Sequence, residues 1–437
     1  MNNFKIGFSR RKITPQVGTR LFGYPGARVS KALHDDLLVN VLAFSSIDKI
    51  ALMISADLCT LPQEMNYELR RQISAETGIS PDKMILATIH THSAPATSGS
   101  STAEKGWGSA NTEYISEILF PQTIAAAKEA VSNMQPAQMG IGETSSNAGI
   151  NRRELTPDGK VILGQNPDGP YDSRMRILSF RKPEGETIVS LLHFGCHPTA
   201  AGQAPEISRD WPGYMVDRLE KETSAPAVFF NGAIGDIGPR LSNGMTTGDM
   251  ELMKEVGLIA AEDAVRAFES ITTYSEPKLF VKSDTLTMPY RKLPSIEEAK
   301  SAMEAMGDPE KLIEVEILEY ERYKNIVAHY ENNLPIETEW KFEQTYIALD
   351  SVVFVPYPLE PFCRITLNQQ ESSPFTHTLC LSNANGSIGY LPTKDQIPYG
   401  GYEIDSFQSH NVFILEEKAE HQIVEENTKL LNKLFNA

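Results

Sequence analysis

The stretch Ala51–Pro95, ALMISADLCTLPQEMNYELRRQISAETGISPDKMILATIHTHSAP, decides the fold class. It opens on a short apolar run bounded by turn residues, the pattern of a buried strand. Leu61 to Thr77 then carries apolar residues at helical spacing, and after Ile79-Ser80-Pro81 a second apolar run, Met84–Ala87, returns to strand. Strand, helix and strand in succession make the repeating unit of a layered α/β protein.

The same alternation continues outward on both sides. LLVNVLAFSS precedes the stretch as another strand, and Thr112 to Asn133 follows as a helix with alanines through its centre. Strands are expected at Gln138–Gly142, Arg174–Arg181 and Ile188–Phe194, a helix at Pro212–Glu222, a strand in AVFFN and a helix over Asp249–Ser270. Strands resume at Ile347–Val355 and Phe375–Ser382, and a helix from Leu415 closes the chain. Residues 295–343 differ: they are rich in Glu and Lys with helical periodicity broken at Gly307-Asp308-Pro309. They read as two antiparallel helices leaving the core, mostly a solvated face, with a lid over the site as the minority reading. The expected class is α/β (mixed α+β): a layered β-sheet core flanked by helices, with a helical excursion near 295–343.

A chain of 437 residues buries roughly 75 % of its unfolded surface and folds without a disulfide or metal staple. Its 40 basic and 57 acidic side chains leave a net charge of −17, which repels nucleic acid and anionic membrane surfaces. No apolar run approaches the ~20 residues of a membrane span. The N-terminus shows no signal peptide, and the four dispersed cysteines form no CxxC pair, so a reducing, cytoplasmic location is expected. A small molecule is the expected partner. The oligomeric state has no signature.

The chemistry concentrates at strand exits. T-I-H-T-H-S, Thr88–Ser93, follows Met84–Ala87 directly. On an extended strand His90 and His92 would share one face, at the carboxyl end where open α/β sheets bind ligands. IVSLLHFGCHPTA ends the same way, with His197 at its exit, while His193 inside it reads as a satisfied strand histidine. Two strands each delivering a histidine suggest a shared metal site. Further donors are Glu360 at the exit of SVVFVPYPLE and Tyr390 in NANGSIGYLPT, each also readable as a solvated carboxylate or a packed ring. Asp57, ending ALMISAD, and Asp236, in NGAIGD, could orient ligating histidines or simply serve turns. Cys59 and Cys196 have apolar flanks and read as inert buried thiols. No nucleophile elbow, phosphate loop or HExxH helix is present.

Taken in order, these motifs resemble the neutral/alkaline non-lysosomal ceramidase family across most of the chain. The matching pieces are Ile13-Thr14-Pro15, His34–Leu37, the strand-final Asp57, Thr88–Pro95, Asn151-Arg152 and Asn166–Asp172. The HPT and SRDWPGY segments, NGAIGDIGP, VPYPLEPF and GYLPTKDQIPYGGYE complete the set. The resemblance implies one zinc ion held by His90, His197, Glu360 and Tyr390. It also implies that His92, Arg152 and Tyr402 face the substrate as catalytic groups. In that family a serine stands three positions before the glycine of Gly-Asp. At that position this chain has Gly232, which would open the substrate pocket and leave attack to water. The chain ends soon after the tyrosine loop, so the family's C-terminal immunoglobulin-like domain is expected to be absent. Residues 1–437 then form a single catalytic domain. The resulting expectation is a zinc-dependent hydrolase using metal-activated water on an amide or ester of a polar substrate, such as a sugar derivative, rather than ceramide. A metal-dependent lyase or isomerase of a polyhydroxylated molecule and a non-catalytic binding relative are the alternatives.

Overall fold

Three mixed β-sheets converge on one shared core in the computed structural model, which describes residues 3–24, 26, 28–98, 110–312, 314–409 and 411–436. The first sheet runs in the order Met84–Thr88, Lys49–Ala56, Leu38–Ser46, Lys5–Lys12 and Gln135–Pro136. The second runs Ala227–Asn231, Thr187–Phe194, Arg174–Arg181 and Gln138–Ser145, and the third Leu279–Pro289, Glu339–Leu349, Val352–Pro356 and His377–Leu381. Each is antiparallel except for one parallel pair. Parallel neighbours cannot be joined by a tight turn, and each pair encloses a helical crossover: Gln63–Thr77, Trp211–Thr223 and Cys363–Ser372 respectively.

The sheets face one another through a cluster that draws Phe44 from the first, Phe180 and Phe230 from the second and Phe354 from the third. Each of these fully buried rings contributes about 1.5–3 kcal/mol by leaving water. On their outer faces the sheets take separate helical cover. Gln63–Thr77 and Phe120–Ser132 cover the first, Trp211–Thr223 and Met250–Glu269 the second, and Cys363–Ser372 with Ala419–Phe435 the third. This is the mixed α+β layering that the alternating pattern predicts. Among the described residues no helix is long and apolar enough to cross a membrane.

Several expected boundaries move. Ile347–Val355 is not one strand: a turn at Asp350, with φ of +50°, divides Glu339–Leu349 from Val352–Pro356. The excursion is also shorter than 295–343. Its helices are Ile296–Met306, capped by Ser295 and Glu298 in a reciprocal box, and Glu314–Glu331. Residues from Glu339 onward belong to the third sheet, paired with Leu279–Pro289. The closing helix starts at Ala419 rather than Leu415.

Candidate metal centre and active site

The carboxyl ends of the parallel strands build the site. Met84–Thr88 leads to His90, Thr187–Phe194 to His197 and Val352–Pro356 to Glu360, one donor from each sheet. His377–Leu381 leads toward Tyr390, which pairs in register with Glu360 in a two-residue parallel ladder. That ladder, closed by the Glu360 N–H on the Gly389 carbonyl at 2.9 Å, sets the two side chains next to each other.

Three donor atoms converge. Glu360 lies 3.5 Å through Oε1 from His90 Nε2 and 3.5 Å through Oε2 from His197 Nε2. The donor atoms of this buried trio all lie within 4.8 Å of one another, so the trio could hold a metal ion. The far nitrogens of the two imidazoles are fixed by the backbone. His197 Nδ1 sits 2.7 Å from the Ile234 carbonyl, and His90 Nδ1 sits 2.8 Å from the Cys59 carbonyl. A carbonyl accepts only from a protonated Nδ1, which at His197 leaves the Nε2 lone pair aimed at the convergence point. Among the described residues His197 Nε2 and Glu360 Oε2 have no hydrogen-bond partner although both are buried. Orphaned buried acceptors of this kind are costly unless something satisfies them, and a cation fits the vacancy in their bonding. Burial, with the nearby Arg152 charge second, pushes His197 well below the usual imidazole range. It is therefore neutral, the form that binds a metal.

His90 and His92 do meet, but not as neighbours on a strand. The strand ends at Thr88, and His90 adopts a left-handed φ of +70°. That turn brings the His90 and His92 rings to 5.0 Å and puts His92 5.5 Å from His197. Neither nitrogen of the buried His92 has a partner among the described residues. Burial, followed by the His90 and Arg28 charges, lowers its pKa well below the ordinary value and keeps the imidazole neutral.

Arg152 is tied to the groups around the trio. Its Nη2 donates to the Tyr390 hydroxyl at 3.0 Å and its Nε to Glu403 at 2.8 Å. Tyr402 lines the cavity beside the trio, with its ring 6.0 Å edge-on to Tyr390. The cavity measures about 310 Å³ and also takes in His90, His92, Glu360 and Tyr390.

Asp236 joins the site's loops. Its carboxylate accepts from the Cys363 N–H at 2.6 Å, just beyond Glu360, and from Asn151 Nδ2 at 2.9 Å, while its carbonyl takes the Arg152 N–H. Asp57, by contrast, orients neither histidine: its carboxylate takes the Leu38 N–H at 2.8 Å, and Cys59's carbonyl does the orienting of His90. Gly232 lies apart from the trio. A Cβ there would meet Gly195 and His193, in a small cleft other than the cavity that takes in His90 and Glu360. His193 is held on the Cys380 carbonyl at 2.9 Å, as a strand histidine. Cys59 and Cys196 are buried, and burial raises both thiols well above their ordinary value.

No protein-family model matches the chain. Neutral ceramidase A of Dictyostelium discoideum is 25 % identical to it over 268 residues, 54 % of this chain and 36 % of that one. The crystal structure of neutral ceramidase from Pseudomonas aeruginosa superposes with a TM-score of 0.75 at 17 % identity, over 99 % of this chain and 75 % of that one. A ceramidase complexed with C2 gives 0.71 at 16 % identity, over 99 % and 76 %. The chain shares the fold of these two solved ceramidases and is similar in sequence to a neutral ceramidase over about half of its length. The sequence match thus spans about a third of the length of its curated relative.

In this ceramidase-like chain the structure adds residues that the sequence motifs did not single out. Glu403 bridges Arg152 and Arg153 at 2.8 Å each and is almost wholly buried. Asn383 reaches His90 Nδ1 at 3.0 Å. A loop cradles His92: Tyr24 lies edge-on at 4.8 Å, Arg28 donates to the His92 carbonyl, and Gly23 leaves no room for a Cβ. Glycine directly before an aromatic, Gly23-Tyr24, was the one available hint in the sequence.

Proposed function

We propose that the protein is a zinc-dependent hydrolase that cleaves an amide or ester of a polar small molecule. One observation carries the reading: three buried donors from three sheets converge, with His197 Nε2 and Glu360 Oε2 unpartnered among the described residues and the Nδ1 atoms of both histidines held at backbone carbonyls. His90, His197 and Glu360 would hold the ion, with the Tyr390 hydroxyl as a fourth donor. Two imidazoles, a carboxylate and a phenol suit zinc, with its preference for mixed nitrogen and oxygen ligands. When bound, the metal supplies Lewis-acid polarisation of a carbonyl and acidification of water.

The protein's own groups do the rest. His92 accepts the proton of the attacking water and returns it to the leaving amine or alkoxide, since both its nitrogens are otherwise unengaged. Tyr402, in the cavity wall, donates its hydroxyl to the carbonyl oxygen as charge develops there. Arg152 is a positioning residue: its guanidinium steadies the Tyr390 oxygen and favours that oxygen's anionic form, against the burial that raises its pKa.

The test is elemental analysis of the purified protein and of His197→Ala, followed by turnover of simple amides and esters in ¹⁸O water. About one zinc per chain, lost in the variant, with one labelled oxygen in the acid product, is the expected result. No stoichiometric metal after reconstitution would sink the metal reading. A rearranged or dehydrated product without label would replace hydrolysis by a lyase or isomerase reaction.

A further inference from the structure

The helical hairpin of Ile296–Met306 and Glu314–Glu331 is docked on the body by its own small apolar cluster, centred on Leu293, Ala299 and Ile326. Arg322 Nε adds a hydrogen bond to the Asn411 carbonyl at 3.1 Å, and Lys300 ties the two helices together through Glu331 at 3.0 Å. Leu318, on the second helix, takes no part in this. It is only 9 % exposed, yet among the described residues it joins none of the apolar clusters that hold the fold. It is instead the hairpin's contribution to the wall of the cavity beside the metal donors. The helix that carries it also packs on Tyr402–Ser409, which sends Tyr402 and Ser406 into the same cavity.

A buried leucine outside every core cluster adds little to docking the hairpin; its effect falls on the cavity, where it takes up volume and offers an apolar contact. Phe22 is its aromatic counterpart in the wall. The remaining lining is rich in hydroxyls, with Thr60 and Ser98 2.8 Å apart and Ser387 nearby. The cavity's volume of about 310 Å³ is about twice that of an engineered ~150 Å³ cavity that takes up benzene. It therefore holds a compact occupant, with Leu318 of the hairpin in its wall.

We propose that the hairpin is a selectivity cap and that Leu318 sets the length of the acyl group the cavity admits. The substrate is then a short-chain acyl derivative of a hydroxylated molecule. The word substrate rests on the hydrolase reading above; the size limit does not.

The test is a series of linear hydroxamic acids from acetyl to dodecanoyl, titrated calorimetrically into the zinc-loaded full chain. Leu318→Ala and Leu318→Phe are run beside wild type, with metal content and circular dichroism to establish folding. Wild type should bind the short members and lose affinity beyond a cut-off. Leu318→Ala should gain about tenfold or more on the first excluded members, and Leu318→Phe should move the cut-off the other way. Length profiles that agree within about twofold in all three proteins would overturn the proposal, as would no binding at any length. Turnover of the matching acyl amides is measured in parallel. Hydroxamates bound with the Leu318-dependent cut-off but no amide cleaved would reject the hydrolase reading and leave the cap standing.

Discussion

Replacing Glu403 by glutamine tests the part of the site that holds Tyr390 in place. The Glu403 carboxylate, its side chain 1 % exposed, accepts from Arg152 Nε and Arg153 Nη1 at 2.8 Å each, and those two side chains are 5 % and 3 % exposed. Glutamine keeps one acceptor oxygen and turns the other into an NH₂ group facing a guanidinium N–H. One charge-assisted bond becomes a donor–donor clash, and two buried cations lose their shared counter-charge. Removing one partner of a buried ion pair costs about 3–5 kcal/mol, so Glu403→Gln should lose that much in urea unfolding near neutral pH. The consequence extends to the metal donors, because Arg152 also donates to the Tyr390 hydroxyl at 3.0 Å. Loosening an outer contact of this type weakens metal binding by about 10–100-fold, read by competition with a chromophoric chelator. Arg153→Gln is the control: it leaves the Arg152–Glu403 pair intact and should largely spare zinc affinity. A Glu403→Gln protein that loses less than about 1 kcal/mol and binds zinc as wild type would refute this account of the triad.

Two further predictions address the loops around the donors. Burial pushes Asp57 up to about 7 from its ordinary 3.8. Its stabilising contribution is therefore complete below the unfolded value and is lost as pH rises toward 7. From about pH 5 to pH 8 wild type should lose about 2–3 kcal/mol relative to Asp57→Asn, and parallel stability curves for the two proteins would contradict this. Gly23 has φ of +106°, and a Cβ there would stand 2.4 Å from His92 Cγ. Gly23→Ala should cost about 1–3 kcal/mol in strain and, by displacing His92, about 100-fold in kcat. Its metal content should stay unchanged, and full activity in the variant would remove His92 from the reaction.

What was legible in the sequence followed the apolar pattern. Arg174–Arg181 was read to the residue, and the helices over 63–77, 211–223 and 250–269 were read to within two positions, because their buried faces are continuous. The exits at His90 and His197 were legible for the same reason: a largely apolar strand ends two or three residues before an imidazole. Where polar residues are buried the pattern fails. Gly149–Leu155 carries Arg152 and Arg153 into the interior and gives no strand signal. Cys363–Ser372 is too polar along CRITLNQQES for a helical stripe to stand out. Glu403 could not be found at all, since a buried acid announces itself only through partners 250 and 251 residues away. The turn at Asp350 was missed because both flanking strands are apolar, and the run reads through it.

Gly232 shows how position changes a chemical argument. Reading it as the place of a lost serine made nucleophile identity the ground for doubting a lipid substrate. The glycine in fact fronts Gly195 and His193, in a small cleft whose lining includes neither Glu360 nor His90. Loss of a nucleophile at 232 therefore says nothing about which bond is cut. The case against a long-chain substrate passes instead to steric terms. These are a cavity of about 310 Å³, a wall shared by Leu318 and Phe22, and a hairpin docked independently of both. Such a limit has a different experimental signature from a missing nucleophile. A missing hydroxyl lowers turnover for every acyl length alike, whereas a cap discriminates by length and leaves the reaction itself untouched. The acyl-length profile, more than the absolute rate, separates the two explanations.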